Sequence, residues 1–129
     1  MGFLENVKIR PLRKEDLEAI VEIDEKVLGE RRKDYWEKKL RLMNEKSSEV
    51  SLVAEVEGNV LGFILGDVSG WEFGVPDTIG WIDTIGVDPV YQKKGLATAL
   101  AHDLIKILKA IGATTIYTLV SWNDWDLLQ

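Results

Sequence analysis

Three consecutive segments in the second half of the chain constrain its fold more than any other feature. β-branched and apolar residues fill "TIGWIDTIGV" (78–87), apolar residues then recur at helical spacing from 94 to 111, and a second β-rich run, "TTIYTLV", covers 114–120. A strand that follows another strand through a helix usually lies parallel to it in the same sheet. This part of the sequence therefore predicts a parallel strand pair with an apolar helix packed against it.

The rest of the chain predicts further strands and helices around this unit. In order, these are a strand (7–12), two amphipathic helices (15–28 and 31–46), two strands (within 50–68), a loop (69–77) and, after the last strand, the start of a helix (121–129). Glu57-Gly58-Asn59, between the two strands, is typical of a tight hairpin turn. The many lysines and arginines of the second helix are interpreted as a solvent-exposed face. The order indicates a mixed sheet with helices against it.

Composition excludes several classes of site and partner. The 129 residues contain no cysteine and one histidine, which excludes a disulfide framework, a thiolate nucleophile and nearly every zinc site built from Cys and His. The formal net charge of -6 argues against a nucleic-acid-binding protein. No apolar run reaches the roughly 20 residues of a membrane-spanning helix, and the sequence does not begin like a signal peptide. We therefore expect a cytoplasmic protein without a membrane partner.

The sequence "QKKGLA" at 92–97 opens the helix of the strand–helix–strand unit. A solvent-exposed helix start would explain its two lysines and nothing more. An anion site at the helix N-terminus explains the small residues as well, because Gly95 lets a ligand approach the backbone, Ala97 keeps the next turn shallow and unpaired N–H groups bind phosphate. Neither a P-loop motif nor the G-x-G-x-x-G dinucleotide motif occurs.

The string "QKKGLA" resembles the acyl-CoA-binding signature of the GNAT superfamily of N-acetyltransferases, Q/R-x-x-G-x-G/A. The resemblance extends to "IRPLRKEDLEAI", which is similar to the family's first strand and helix, and to "TIYTLVSWND", which is similar to a later strand and the residues after it. It implies a single α/β domain over 1–129, with a mixed, largely antiparallel central sheet and helices on both faces. The last strands of the usual fold would be missing, so we expect the domain to be incomplete at its C-terminus.

The resemblance implies that acetyl-CoA is the cosubstrate. Ile85 and Val87 on the central strand would pair with the pantetheine arm, and the pyrophosphate would bind the backbone from Gln92 to Ala97. The two lysines would serve the 3′-phosphate or long-range attraction, and Asn123 would face the pantetheine or the sulfur. The full set implied for the cofactor is Ile85, Gly86, Val87, Gln92, Lys93, Lys94, Gly95, Leu96, Ala97, Thr98 and Asn123.

The resemblance also implies that a primary amine attacks the acetyl thioester directly in a ternary complex. Such an amine is almost entirely protonated at neutral pH, so a base must take its proton. Asp83 on the central strand is the first candidate, ahead of Glu72 and Asp77 on the adjoining loop; the alternative is that Asp83 only forms hydrogen bonds or faces solvent. Some relatives place a glutamate near the position of Thr118. The tyrosine that often acts as general acid would fall one residue past Gln129.

The sequence leaves the acceptor amine unidentified, and a small molecule, a peptide and a protein all remain open. Trp71 and Phe73 of the loop, with Trp81, are candidates for the wall of an acceptor pocket, whereas His102 is interpreted as an exposed helix residue. The missing tyrosine position and the unsettled base favour one alternative to an enzyme, a non-catalytic acyl-CoA-binding module. A third interpretation is a scaffold or interaction domain in which the loop at 92–97 is vestigial. An unpaired edge beside strand 114–120 would favour pairing with a second copy, as a homodimer.

Overall fold

A computed structural model describes residues 3–47, 50–69 and 78–118 of the chain. The strands are β1 (Lys8–Pro11), β2 (Leu52–Val56), β3 (Asn59–Ser69), β4 (Thr78–Val87) and β5 (Ala113–Thr118), and they form one sheet in the order β1-β2-β3-β4-β5. The helices are α1 (Leu17–Leu28), α2 (Lys33–Ser47) and α3 (Leu96–Ile111). Short 3-10 turns cover Phe3–Asn6, Lys14–Asp16 and Pro89–Tyr91.

Strand pairing confirms the mixed, largely antiparallel sheet. The pairs β1–β2, β2–β3 and β3–β4 are antiparallel, whereas β4 and β5 are parallel. The parallel pair is the one that α3 connects, as the strand–helix–strand pattern predicts. The predicted hairpin turn joins β2 to β3 through Glu57 and Gly58, whose φ values of 51° and 83° are the left-handed values that a type I′ turn requires.

Helices cover both faces of the sheet, as predicted. On one face α3 buries four leucines that recur at every fourth position: Leu96, Leu100, Leu104 and Leu108. They approach the sheet closely because the strands beneath them present glycines; a Cβ on Gly66 or Gly80 would lie 2.9 Å from a leucine methyl group. On the other face Trp36 of α2 packs edge-on against Phe63 of β3, with 5.5 Å between the ring centroids. The sheet is therefore the middle of three layers.

A buried ion pair fixes the entry into α1. The two terminal nitrogens of Arg10 on β1 bind the carboxylate of Asp16 at 2.9 and 2.8 Å, and Asp16 also accepts a hydrogen bond from the backbone N–H of Arg13 at 2.8 Å. Burial opposes the ionised carboxyl, but these hydrogen bonds outweigh it, so the pKa of Asp16 lies below its ordinary value. Because residues 14–16 form a 3-10 turn around this pair, α1 begins at Leu17, two residues after the predicted start.

Helix α3, with 16 residues, is the longest of the described helices. Neither it nor any other helix within the described ranges is long and apolar enough to cross a membrane. His102 projects from α3 with 71% of its side chain exposed, which confirms the interpretation of that residue.

Candidate active site

The turn between β4 and α3 is held from both sides. The backbone N–H of Asp88, the first residue after β4, donates to the carbonyl oxygen of Leu61 on β3 at 2.8 Å. The buried carboxylate of Asp88 accepts hydrogen bonds from the backbone N–H of Val90 at 3.0 Å and from the Nζ of Lys26 on α1 at 2.8 Å. The 3-10 turn that follows, opened by Pro89, therefore leaves the strand in one defined direction.

The residues predicted to bind phosphate form the last part of the loop before α3 and the first two residues of that helix. The side-chain Nε2 of Gln92 turns back and donates to the carbonyl oxygen of Val87 at 3.2 Å. Lys93 and Gly95 have positive φ values of 63° and 86°, and Gly95 is the N-cap, whose carbonyl accepts the N–H of Ala99 at 3.0 Å. The helix itself offers no acceptor for the N–H groups of its first turn, and its dipole places about half a positive charge there. This backbone is arranged to bind an anion.

The side chains of this segment separate into two groups. Those of Lys93, Lys94 and Thr98 are exposed, whereas those of Leu96 and Ala97 are buried in the core between α3 and the sheet. The two buried residues can therefore contact a ligand only through their backbone. α3 begins two residues later than the predicted start at 94, because the left-handed backbone before Leu96 is not helical.

The second half of β4 contains the other cofactor candidates that the structure describes. Ile85 and Val87 pair with β3, and their side chains lie in the core beneath α3. A Cβ on Gly86 would lie 2.6 Å from the ring of Phe63, so this ring covers the glycine on the opposite face. The described pairing of β4 with β5 runs from Thr78 to Ile82, whose partner Thr118 is the last described residue of β5. These three candidates can contact a cofactor only through the main chain, along the edge that faces away from β3.

Asp83, the first candidate base, is the extra residue of a β-bulge. Thr84 lies opposite Leu65 and Ile82 lies opposite Gly66, so no residue of β3 is the partner of Asp83. A bulge re-aims the side chains around it, and here the carboxylate reaches a side chain of α2. The sequence did not predict the bulge, since "WIDTIG" continues the strand pattern without a break.

Lys39 of α2 forms an ion pair with Asp83. Its Nζ lies 3.1 Å from Oδ2 of Asp83, and the hydroxyl of Thr84 donates to Oδ1 at 3.3 Å. Burial opposes the charged form of Lys39, but the hydrogen bond and the charge of Asp83 outweigh it, so the pKa of Lys39 lies above its ordinary value. Since only 21% of the Lys39 side chain is exposed, the interpretation of the α2 cations as a solvent-exposed face is wrong for this lysine.

The aromatic ring of Tyr35 on α2 lies between two cationic side chains, those of Lys39 on the same helix and of Arg32 just before it. The Nζ of Lys39 lies 5.7 Å from the ring centroid of Tyr35, and the guanidinium of Arg32 covers that ring at 4.4 Å. Arg32 is bound in turn by both carboxylate oxygens of Asp24 on α1, at 2.9 and 2.8 Å. These contacts tie the side of α2 that faces β4 to α1 and limit the positions open to Lys39.

Of the predicted acceptor-pocket aromatics, Trp81 lies within the described residues. Its ring packs against Tyr117 of β5, with centroids 5.0 Å apart and planes inclined at 30°. Five residues of the predicted site lie outside the described ranges: Trp71, Glu72, Phe73, Asp77 and Asn123.

Comparison with known proteins assigns this architecture. Residues 17–125 match the model of the acetyltransferase (GNAT) family. The chain belongs to this family. Membership of the GNAT family supports an acyltransferase activity for this chain.

Solved structures share the GNAT fold of this chain at low sequence identity. A transcriptional regulator from Bacillus halodurans C-125 is 18% identical with a TM-score of 0.77, over 95% of this chain and 87% of that one. An aminoglycoside N-acetyltransferase in complex with CoA is 16% identical with a TM-score of 0.73, over 92% and 80%. Glucosamine-6-phosphate N-acetyltransferase from Arabidopsis thaliana is 17% identical with a TM-score of 0.70, over 92% and 84%.

One set of contacts to the loop between β4 and α3 (88–95) was not predicted from the sequence. In the N-terminal 3-10 turn, the ring of Phe3 stacks on Tyr91 at 5.7 Å and 20°, and Leu4 lies beside Gly95, with its Cδ1 3.3 Å from where a Cβ on that glycine would be. Two apolar residues before the first strand were the only signal for this packing. The turn supports the loop from its outer side.

Replacing Phe3 with alanine is expected to weaken CoA binding about fivefold, because the stack that holds Tyr91 is lost. Calorimetric titration with CoA measures the change. Leu28→Ala is the control, since Leu28 is an apolar residue that ends α1 and is 53% exposed, whereas the partly buried Phe3 contacts Tyr91 of the loop. Equal affinities of Phe3→Ala and the wild type would show that the turn does not support the loop.

Proposed function

We propose that this GNAT protein transfers the acetyl group of acetyl-CoA to a primary amine by direct attack in a ternary complex. The observation that carries the proposal is the arrangement along and after β4: the strand carries a carboxylate, Asp83, four residues before its end at Val87, and a 3-10 turn then leads to the anion-binding start of α3 at Gly95. The stretch from Asp83 to Val87 is about 13 Å long. An extended cofactor arm with its phosphates beyond Val87 would run along this stretch and bring its thioester towards Asp83.

The described residues fit the cofactor in this orientation. The pyrophosphate would accept hydrogen bonds from the backbone N–H groups between Gln92 and Ala97, where the glycine leaves the backbone accessible. The exposed ammonium groups of Lys93 and Lys94 would attract the phosphates from solvent. The main chain of residues 85–87 would run beside the pantetheine arm. We further propose the hydroxyl of Thr98 and the side chain of Asn123 as cofactor contacts.

The chain must then supply a base. When bound, acetyl-CoA supplies an acetyl thioester that a neutral amine converts to an amide with release of the CoA thiol. An alkylamine has a pKa near 10.4, so only about one molecule in 10³ is neutral at pH 7. In our proposal Asp83 takes the proton that leaves the amine nitrogen, directly or through one water molecule. Its Oδ1, which is bound only weakly by Thr84 at 3.3 Å, is the oxygen better placed to accept it.

Thiol release from acetyl-CoA with a panel of primary amines tests the proposal. Wild-type protein is expected to turn over at least one amine, and Asp83→Asn is expected to lower kcat about 10²-fold without changing CoA affinity. Asp103→Asn is the control, because Asp103 lies on α3 and its side chain is 43% exposed. If Asp83→Asn retained full turnover, this residue would not be the base.

A non-catalytic acyl-CoA-binding module is the second candidate. The ion pair between Lys39 and Asp83 favours it, since the ammonium group occupies one carboxylate oxygen and lowers its availability as a base. Acetyl-CoA that binds without turnover of any amine would support the module.

A further inference from the structure

We propose that Lys39 is a positioning residue for the acetyl transfer: its ammonium group holds Oδ2 of the Asp83 carboxylate, so that Oδ1 faces the amine. The inference rests on the proposed function, in which Asp83 takes the proton of the acceptor. It assigns a role to a residue that lies 44 positions earlier in the sequence and on a different element.

The bulge and the burial of Lys39 together make the pair specific. Because Asp83 is the extra residue of β4, its side chain is not fixed by a partner on β3 and takes its position from α2. Lysine side chains are mostly exposed, whereas that of Lys39 keeps only 21% of its surface in contact with solvent. The 3.1 Å contact to Oδ2 pairs its charge, and the longer bond from Thr84 leaves Oδ1 less strongly bound.

Among the described residues of the elements around Asp83, no cation besides Lys39 forms an ion pair with its carboxylate. Tyr35 of α2 lies behind Lys39, and Arg32, just before α2, binds Asp24 of α1. The β3 residues nearest in register are apolar, and β5 places Tyr117 opposite Trp81. Among the residues that the structure describes, Lys39 is therefore the charged group that acts most directly on Asp83.

The consequence is a defined kinetic effect. Loss of the ammonium group frees Oδ2 and lets the carboxylate turn away from the amine, so kcat should fall about tenfold, because the base is misplaced at the moment of proton transfer. The affinity for CoA, which depends on the loop before α3, should stay unchanged.

Comparison of Lys39→Met, Lys39→Arg and Lys38→Met tests the inference. Lys39→Met removes the charge and keeps most of the side-chain volume, Lys39→Arg restores a cation, and Lys38→Met removes an exposed neighbouring charge from the same helix. The value of kcat is expected to fall for Lys39→Met and to stay near the wild-type value for the other two, while KM for the amine changes less than kcat. A wild-type kcat in Lys39→Met, or the same loss in Lys38→Met, would overturn the proposal.

A second measurement separates this inference from the proposed function. The NMR chemical shift of the Asp83 carboxyl carbon at one neutral pH reports the surroundings of the carboxylate without catalysis. The resonance is expected to move in Lys39→Met and to stay near its wild-type position in Lys39→Arg and Lys38→Met. If no amine is turned over but the resonance moves, the proposed function fails and the contact between Lys39 and Asp83 stands without a catalytic role. An unchanged resonance in an active enzyme overturns the inference alone.

Discussion

Gly95→Val is expected to lower CoA affinity about 10³-fold, because a β-branched residue at the N-cap of α3 forces the loop out of its present backbone and displaces the N–H groups that would bind phosphate. The φ value of Gly95 is 86°, and Leu4 already lies 3.3 Å from the position of the new Cβ. The loop must therefore change shape rather than absorb the substitution. Calorimetric titration with CoA measures the loss, and circular dichroism verifies that the variant is folded.

Gly29→Val is the matched control for this experiment. Gly29 ends α1 with a φ value of 88°, and nothing lies within 4 Å of a Cβ built on it. The control variant thus carries a similar backbone strain away from the loop. It should lose stability but retain CoA affinity; equal losses of affinity in the two glycine variants would contradict a direct role for Gly95.

The two lysines of the loop should matter less than the glycine. Lys93 also has a left-handed backbone, so asparagine, which tolerates this conformation, is the suitable replacement there, together with Lys94→Ala. We expect the double variant to weaken CoA binding, with a larger effect at low salt because the lysines act through charge. A greater loss than in Gly95→Val would show that the side chains, and not the backbone, form the main site.

The second large effect concerns stability: Asp16→Ala is expected to lower the free energy of unfolding by about 2–3 kcal/mol, since the buried guanidinium of Arg10 loses its main partner and keeps only Glu55, whose Oε2 lies 3.1 Å from Nε. Arg10 and Asp16 are only 8% and 6% exposed, and two hydrogen bonds join them. Urea denaturation at neutral pH measures the change. Asp34→Ala, which removes an exposed carboxylate at the start of α2, is expected to cost far less.

This ion pair also predicts how stability depends on pH. The pKa of Asp16 is lowered in the folded state, so its stabilising contribution is fully present above the pKa of the unfolded chain, about 3.9, and is lost as the pH falls towards the folded value. The difference in unfolding free energy between wild type and Asp16→Ala should therefore shrink below about pH 4. A difference that stays constant into acid would indicate that Asp16 acts by packing and not by charge.

Local signals were sufficient to predict most of the fold. The period of the apolar residues placed α3 between two strands, and the pair Glu57-Gly58 fixed the hairpin, because each of these features is decided by residues near one another in the chain. The loop before α3 was predicted for the same reason: a glycine directly before a helix allows a backbone conformation that other residues rarely adopt, and this can be inferred from the neighbouring residues alone.

Contacts between distant segments could not be predicted in this way. A lysine on a helix has the same local pattern whether it meets water or, as Lys39 does, a carboxylate on a strand that is far away in sequence. The bulge at Asp83 depends on the register with β3 and leaves no mark in the residues of β4. The packing of Phe3 on Tyr91 is also long-range, and these three features surround the candidate site.

The strand order has a consequence for the sequence of events during synthesis. Strands β2, β3 and β4 pair in chain order through residues that are at most 25 positions apart, as for Gly62 and Val87, so this part of the sheet can assemble from short-range contacts. β1 is made first, but its partner β2 appears only after both α1 and α2, because Pro11 pairs with Leu52. Until β2 is synthesised, β1 and its Arg10 have no strand partner, and the apolar faces of α1 and α2 have no sheet on which to pack.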